Sequence, residues 1–225
     1  MNNPIYEIES LDYKKGNNFL LKIKKFEIHR GACYMFKGEM GAGKTLLLST
    51  ISRVNKGYNG KIMYDNKDLK KISSSIFNKE VSIVQQIEKR PFFTTSYKYI
   101  YNYVSKKNNK VKSEKFINSI VKTMNLNHLL NVKVRDLTPS QFRWVDLAAK
   151  IASNPKVLFI DEIEQHLSKD CINILNKILY KKCNYDGVTL VCSSQNAGLF
   201  SSLISVTISL KHGRISSLRS RSRKK

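Results

Sequence analysis

Residues 38–45 read GEMGAGKT, and this stretch decides how the chain folds. Gly38 and Gly43 enclose four residues and are followed by Lys44 and Thr45, the spacing of a phosphate-binding loop. Ahead of the loop, Ala32 to Phe36 reads as a short buried strand. Behind it, Leu46 to Val54 has helical periodicity. In that order, Gly38, Gly41 and Gly43 let the backbone curl so that successive amides face phosphate oxygens, and the helix adds its positive end. Lys44 would contact β and γ phosphates, and Thr45 would offer its hydroxyl to magnesium. A glycine-rich turn with a chance GKT is the bland reading, and the flanking strand and helix weigh against it.

Outward from the loop, VLFIDE at 157–162 is an apolar strand ending in two carboxylates. Asp161 at the strand end suits a magnesium ion held through water, and Glu162 suits polarising an attacking water. Alone this is weak, since solvated acids often end strands. It gains weight if both motifs share the carboxyl edge of one sheet. Ile5 to Leu11 and Phe19 to Phe26, around KKGNN, read as an antiparallel pair. Lys61 to Tyr64, Val81 to Val84 and Val188 to Cys192 read as further strands. A helix is expected from about Lys169 to Tyr180, and a closing hairpin, Val206 to Leu210 with Arg214 to Leu218, turns at His212 and Gly213.

From Arg90 to about Ala149 the texture is Tyr-, Lys- and Asn-rich with helical spacing. Strands alternating with helices predict an α/β fold with a mainly parallel core sheet, N-terminal antiparallel strands and an inserted helical lobe. The expected organisation is one domain over 1–225: a core of 1–89 and 150–218, a helical subdomain of 90–149 and a basic tail of 219–225.

Composition narrows the classes. Lys plus Arg is 40 against 17 Asp plus Glu, a net charge of +23, which favours polyanionic partners such as nucleic acid, nucleotide phosphates or an anionic membrane face. An equally good reading is compositional bias, because Lys, Asn and Ile are abundant along the whole chain. No stretch approaches the roughly 18 apolar residues of a membrane span. MNNPIYEIES lacks the basic start and apolar segment of a secretory leader, so a cytosolic location is expected. Cys33, Cys171, Cys183 and Cys192 show neither paired nor metal-ligand spacing, against a zinc site or disulfide framework.

The ordered motifs resemble the nucleotide-binding subunit of an ATP-binding cassette (ABC) transporter. Besides GEMGAGKT and VLFIDE, the resemblance rests on Tyr13, VSIVQQ at 81–86, LTPSQ at 137–141 and VTLVCSSQ at 188–195, and it covers nearly the whole chain. It implies a P-loop ATPase in which Gly38, Gly41, Ala42, Gly43, Lys44, Thr45 and Leu46 hold ATP and Tyr13 stacks on adenine. Thr45, Gln86 and Asp161 would hold Mg2+, and Glu162, Gln86 and Gln195 would act in hydrolysis. Adjacent Gln85 leaves the register at Gln86 open. The resemblance further implies a head-to-tail homodimer, or a heterodimer with another ABC ATPase, on the cytoplasmic face of a membrane beside permease subunits. KRPFFTTSYKYI at 89–100 resembles the segment with which importers of the family face those subunits, although Tyr97 stands where Val is common; ordinary helical-lobe core is the other reading.

Three departures qualify the resemblance. The family's signature loop is LSGGQ, which closes on a partner's γ phosphate; here Leu137, Thr138, Pro139, Ser140 and Gln141 stand in its place. Thr138 keeps a hydroxyl, Pro139 has no amide hydrogen and Ser140 lacks glycine's conformational range. Gln195 stands where the family places a histidine; it donates a hydrogen bond but shuttles no proton, so slower hydrolysis is expected. After Glu162, Ile163 and the run Gln165 to Ser168 are atypical, and His166 reads as a surface or interface residue. Two other classes stay open: an ATP-binding regulatory module with weak turnover and a nucleic-acid-associated ABC ATPase, the latter against the lack of coiled coils, tandem cassettes or metal-binding insertions. Arg219, Arg221, Arg223, Lys224 and Lys225 read as a solvated tail, or as contacts to anionic lipid heads.

Overall fold

The computed structural model describes residues 3–16 and 18–221. Strands β1 (Tyr6–Lys15) and β2 (Asn18–Ile28) form the expected antiparallel pair. With β4 (Asn59–Tyr64) and the short β5 (Lys67–Asp68) they make a four-stranded sheet of order β2-β1-β4-β5. The second sheet has six strands in the order β10-β9-β3-β8-β7-β6. Here β3 (Cys33–Lys37), β6 (Val81–Val84), β7 (Val157–Ile160), β8 (Thr189–Ser193) and β9 (Val206–Lys211) run parallel, and β10 (Arg214–Ser220) returns antiparallel to β9.

Alternation along these strands separates two cores, because successive side chains point to opposite sheet faces. Cys33, Met35, Leu158, Ile160, Leu190 and Cys192 face α5 (Pro139–Ala152) and α6 (Lys169–Asn184). Tyr34, Phe36, Phe159, Val191 and Ile208 face α1 (Lys44–Ile51) and the antiparallel sheet, where Tyr6 meets Phe159 edge to face. Strands buried on both faces are nearly all apolar, which is why β7 reads VLFI.

Helices α3 (Ser96–Val104) and α4 (Lys110–Thr123) pack on α5, whose residues from Phe142 to Ala152 are all buried. Inside this layer a charged cluster is paired: Tyr99 Oη donates to Asp146 at 2.7 Å, and Lys150 Nζ lies 2.9 Å from Asp146 and 3.0 Å from Glu88. Burial pulls Lys150 down, but Asp146 and Glu88 outweigh it and its pKa ends above the ordinary value.

Several sequence expectations shift at their edges. The division expected at 149/150 falls inside α5, whose last turn buries Ile151 and Ala152. The helix expected to stop near Tyr180 continues to Asn184 because Cys183 is also buried. Helix α2 (Ser74–Glu80) and β5 were not expected, being short and largely polar. Arg219 and Ser220, expected in the tail, end β10, and the Arg221 guanidinium bonds the carbonyls of Ser201 and Ser202 at 3.0 and 3.3 Å. The rest of that tail, 222–225, lies outside the described residues. Among the described residues no helix is long and apolar enough to cross a membrane.

The β9–β10 hairpin reaches the phosphate-type loop through Gly213. Its N–H donates to the Ala42 carbonyl at 3.0 Å and its carbonyl accepts from Lys22 N at 2.9 Å. Its φ is +70°, and a Cβ there would collide with the Leu20 carbonyl. Gly213→Ala is therefore expected to cost about 1–3 kcal/mol, lowering the melting temperature by about 5 °C. Gly187→Ala, with a similar φ but open space around it, should lose only about 1 kcal/mol. Thermal unfolding of the two variants checks this.

Candidate functional site

The loop after β3 turns at Gly41 (φ +79°) and Gly43 (φ +99°), and α1 starts directly from Gly43. A Cβ at Gly43 would stand 3.0 Å from Leu21 Cδ2, so the antiparallel sheet presses on the loop where only glycine fits. Lys44 is buried, its ammonium curled into the loop and donating to the carbonyls of Gly38 at 2.7 Å and Glu39 at 3.0 Å. A cavity of about 490 Å3 opens over this loop. It is lined by Gly41, Ala42, Gly43, Lys44, Thr45 and Leu46, and across from them by Gln86, Glu162 and Gln195.

Those last three residues come from the ends of three strands. Gln86 Nε2 donates to Glu162 Oε2 at 3.1 Å, and Gln195 Nε2 donates to Glu162 Oε1 at 2.8 Å. The Glu162 carboxylate is thus held between two amides at the mouth of the loop. Asp161, 3% exposed, accepts from the Ser193 hydroxyl, which itself accepts from the Glu162 amide at 2.8 Å. An adjoining cavity of about 170 Å3 is lined by Thr45, Gln85, Gln86 and Asp161. A hydroxyl, an amide oxygen and a carboxylate fit a hard cation that keeps several waters and takes few protein ligands.

Three residues that sequence reading missed hold this arrangement. Ser193 bridges the two acids. Glu164 Oε1 accepts from Ser194 Oγ at 2.9 Å and from the amides of Gln195 at 2.6 Å and Asn196 at 3.0 Å, fixing the loop that presents Gln195. Arg143, on α5, donates to the carbonyls of Gln85, Asp161 and Glu162. Burial lowers its pKa, with Asp146 and Asp161 opposing, and a guanidinium stays charged regardless. Nothing in the sequence marked any of the three, since α5 carries a second buried basic residue, Lys150, in the same run.

Other expected residues lie apart from this cavity. Thr138, Ser140 and Gln141 start α5, exposed or half-buried, and do not line the loop cavity. Thr138 Oγ1 accepts from Gln141 N at 3.2 Å while Gln141 Oε1 accepts from Thr138 N at 2.9 Å, a reciprocal cap. Pro139 occupies the first helical position, which suits its fixed φ, so its effect is confined to one missing N–H. Tyr13 is half-buried on β1 opposite Leu21, its ring beside Gly57, and Leu20 rather than Tyr13 lines the loop cavity. His166 is exposed, in agreement with its surface reading, with φ +58°.

The family model described as ABC transporter matches residues 21–165. A molybdate/tungstate import ATP-binding protein of Methanocaldococcus jannaschii is 30% identical over 170 residues, 73% of this chain and 56% of the relative. A methionine import ATP-binding protein of Campylobacter jejuni is 24% identical over 230 residues, 93% of this chain and 68% of the relative. A Clostridium tetani relative, 27% identical over 176 residues, is matched over 40% of its length, so the chain spans about half of some relatives. A dimeric structure of a bacterial ABC transporter cassette superposes with a TM-score of 0.85 at 20% identity, covering 96% of this chain and 98% of that one, a likeness of fold.

The Glu164 carboxylate generates a direct expectation. Glu164→Ala should speed amide hydrogen exchange at Gln195 and Asn196 and cost about 1–3 kcal/mol. Exchange rates measured by mass spectrometry on peptides spanning 190–200 check it.

Proposed function

The chain belongs to the ABC transporter family, and on that premise we propose that it is an ATP-binding subunit coupling ATP binding and hydrolysis to solute movement through separate membrane subunits. The observation that carries this reading is the Glu162 carboxylate held between the Gln86 and Gln195 amides, facing the Lys44 loop across one cavity.

In this reading the amides of 41–45 and the N-terminus of α1 receive the phosphates. Lys44 exchanges the carbonyls of Gly38 and Glu39 for β and γ oxygens. Thr45, Gln86 and Asp161 would hold magnesium, which would supply neutralisation of phosphate charge. Glu162 accepts a hydrogen bond from the attacking water, and the two glutamine amides fix that carboxylate and donate toward the phosphate. Gln195, where the family places a histidine, takes up no proton, which supports the expectation of slow turnover. Tyr13 stacks the adenine at the β1 side of the loop.

The exposed start of α5 supports a head-to-tail dimer in which Thr138 and Ser140 close on the γ phosphate held by the partner subunit. Thr138 has a hydroxyl proton to offer, and Ser140 N–H is free of an intrahelical acceptor. Pro139 removes one donor, so this chain holds ATP well and completes its partner's pocket poorly. An intact second ABC ATPase as partner leaves one composite site with the usual signature; two copies of this chain put both departures in both sites. With this chain on the cytoplasmic face, permease subunits in the membrane complete the assembly, and the import names of two relatives support uptake. A regulatory module with weak hydrolysis is the second reading, favoured by Pro139 and Gln195.

Three variants test the nucleotide site and its turnover. Lys44→Ala should weaken magnesium-ATP binding by about tenfold or more, while Glu162→Gln should bind normally and lose about 10²–10⁴-fold in turnover. Unchanged affinity in Lys44→Ala removes the nucleotide site. Pro139→Gly, which restores a donor at the start of α5, should raise turnover by about 10- to 100-fold. A steady-state phosphate-release assay showing no gain would place the limit elsewhere than the signature.

A further inference from the structure

Arg143 is 5% exposed, and its guanidinium donates to three backbone carbonyls. Nη1 donates to Gln85 at 2.6 Å; Nη2 donates to Asp161 at 2.6 Å and to Glu162 at 3.0 Å. A guanidinium placed only to neutralise a buried acid would turn to Asp146, on the same helix. Asp146 is instead bonded to Tyr99 and Lys150. The planar fork of Arg143 therefore ties together two chain segments, one leading into Gln86 and the other carrying Glu162.

The Glu162 backbone needs such a tie. Its φ is +45°, in the left-handed region that residues with a Cβ adopt unfavourably. Its N–H is held by Ser193 Oγ and its carbonyl by Arg143 at 3.0 Å and by the Gln165 N–H at 2.9 Å, so both adjoining peptide groups are fixed. The Gln165 bond stays within that turn, whereas Arg143 links the Glu162 carbonyl to those of Asp161 and Gln85, and so sets the Glu162 backbone relative to the segment that leads into Gln86.

We propose that Arg143 is a positioning residue for ATP hydrolysis, clamping the Gln85 and Glu162 backbones so that the Glu162 carboxylate and Gln86 amide meet where water is lined up. This rests on the ATPase reading above and adds the group that sets its geometry. Arg143 touches neither water nor nucleotide; it acts through Glu162.

The test compares wild type, Arg143→Lys, Arg143→Gln, Glu162→Gln and the Arg143→Lys/Glu162→Gln double variant. Single-turnover hydrolysis, magnesium-ATP affinity and amide exchange over 157–168 are measured on each. Lysine keeps the charge but loses the fork. Arg143→Lys should hydrolyse about 100-fold more slowly with unchanged ATP affinity and faster exchange at Glu162 and Ile163. In the Glu162→Gln background the same change should add no further loss, because both act on one group. A full rate in either Arg143 variant, a loss that multiplies with Glu162→Gln, or a parallel loss of affinity would overturn the proposal. So would failure of both variants to fold, which assigns Arg143 to folding. If wild-type turnover does not depend on Lys44, the ATPase reading falls. Exchange then still decides whether the clamp exists, and unchanged exchange in Arg143→Lys overturns it.

Discussion

One row of paired residues across the parallel sheet sets everything at the site. Met35, Cys192, Ile160 and Val84 lie side by side on β3, β8, β7 and β6. Parallel pairing then delivers the next residues to one edge together: Ser193 from β8, Asp161 from β7 and Gln85 from β6, beside the loop that leaves β3. A slip of one residue would exchange the side chains packed against the two buried faces and draw Asp161 into the core, so packing on both faces fixes this register.

Helix α5 joins that edge to the outer layer. Its start is a reciprocal cap in which Thr138 and Gln141 satisfy each other, and Pro139 is tolerated because the first helical position needs no intrahelical donor. Farther along, Phe142 and Trp144 pack into the core, Trp144 Nε1 donating to Met124 O at 2.9 Å, while Arg143 turns to the sheet edge. The helix that starts at Pro139 is thus bonded directly to the backbone that carries Glu162.

Much of this was legible from residue types alone. GEMGAGKT and VLFIDE marked the loop and the acid strand because phosphate binding and double-face burial leave strong local patterns. The core strands fell within a residue or two of their observed ends for the same reason. Arg143, Ser193 and Glu164 were not legible, because their partners are backbone carbonyls and amides or residues of other strands. Arg143 bonds Gln85 and Asp161, and Ser193 bonds residues about thirty positions away, contacts that no spacing rule encodes. The damage expected at Pro139 was also sharpened by its position: sequence showed a lost N–H, whereas the structure shows an otherwise intact cap.

The central claim is that Lys44, Gln86, Glu162 and Gln195 surround one nucleotide's terminal phosphate. A crystal structure with magnesium and a non-hydrolysable ATP analogue tests it most directly. The account predicts the γ phosphate against Lys44 Nζ, the metal among Thr45, Gln86 and Asp161, and the Glu162 carboxylate still bonded to the Gln86 amide beside that phosphate. An analogue bound away from the 38–45 loop, or a Glu162 side chain directed away from the phosphate, would contradict it.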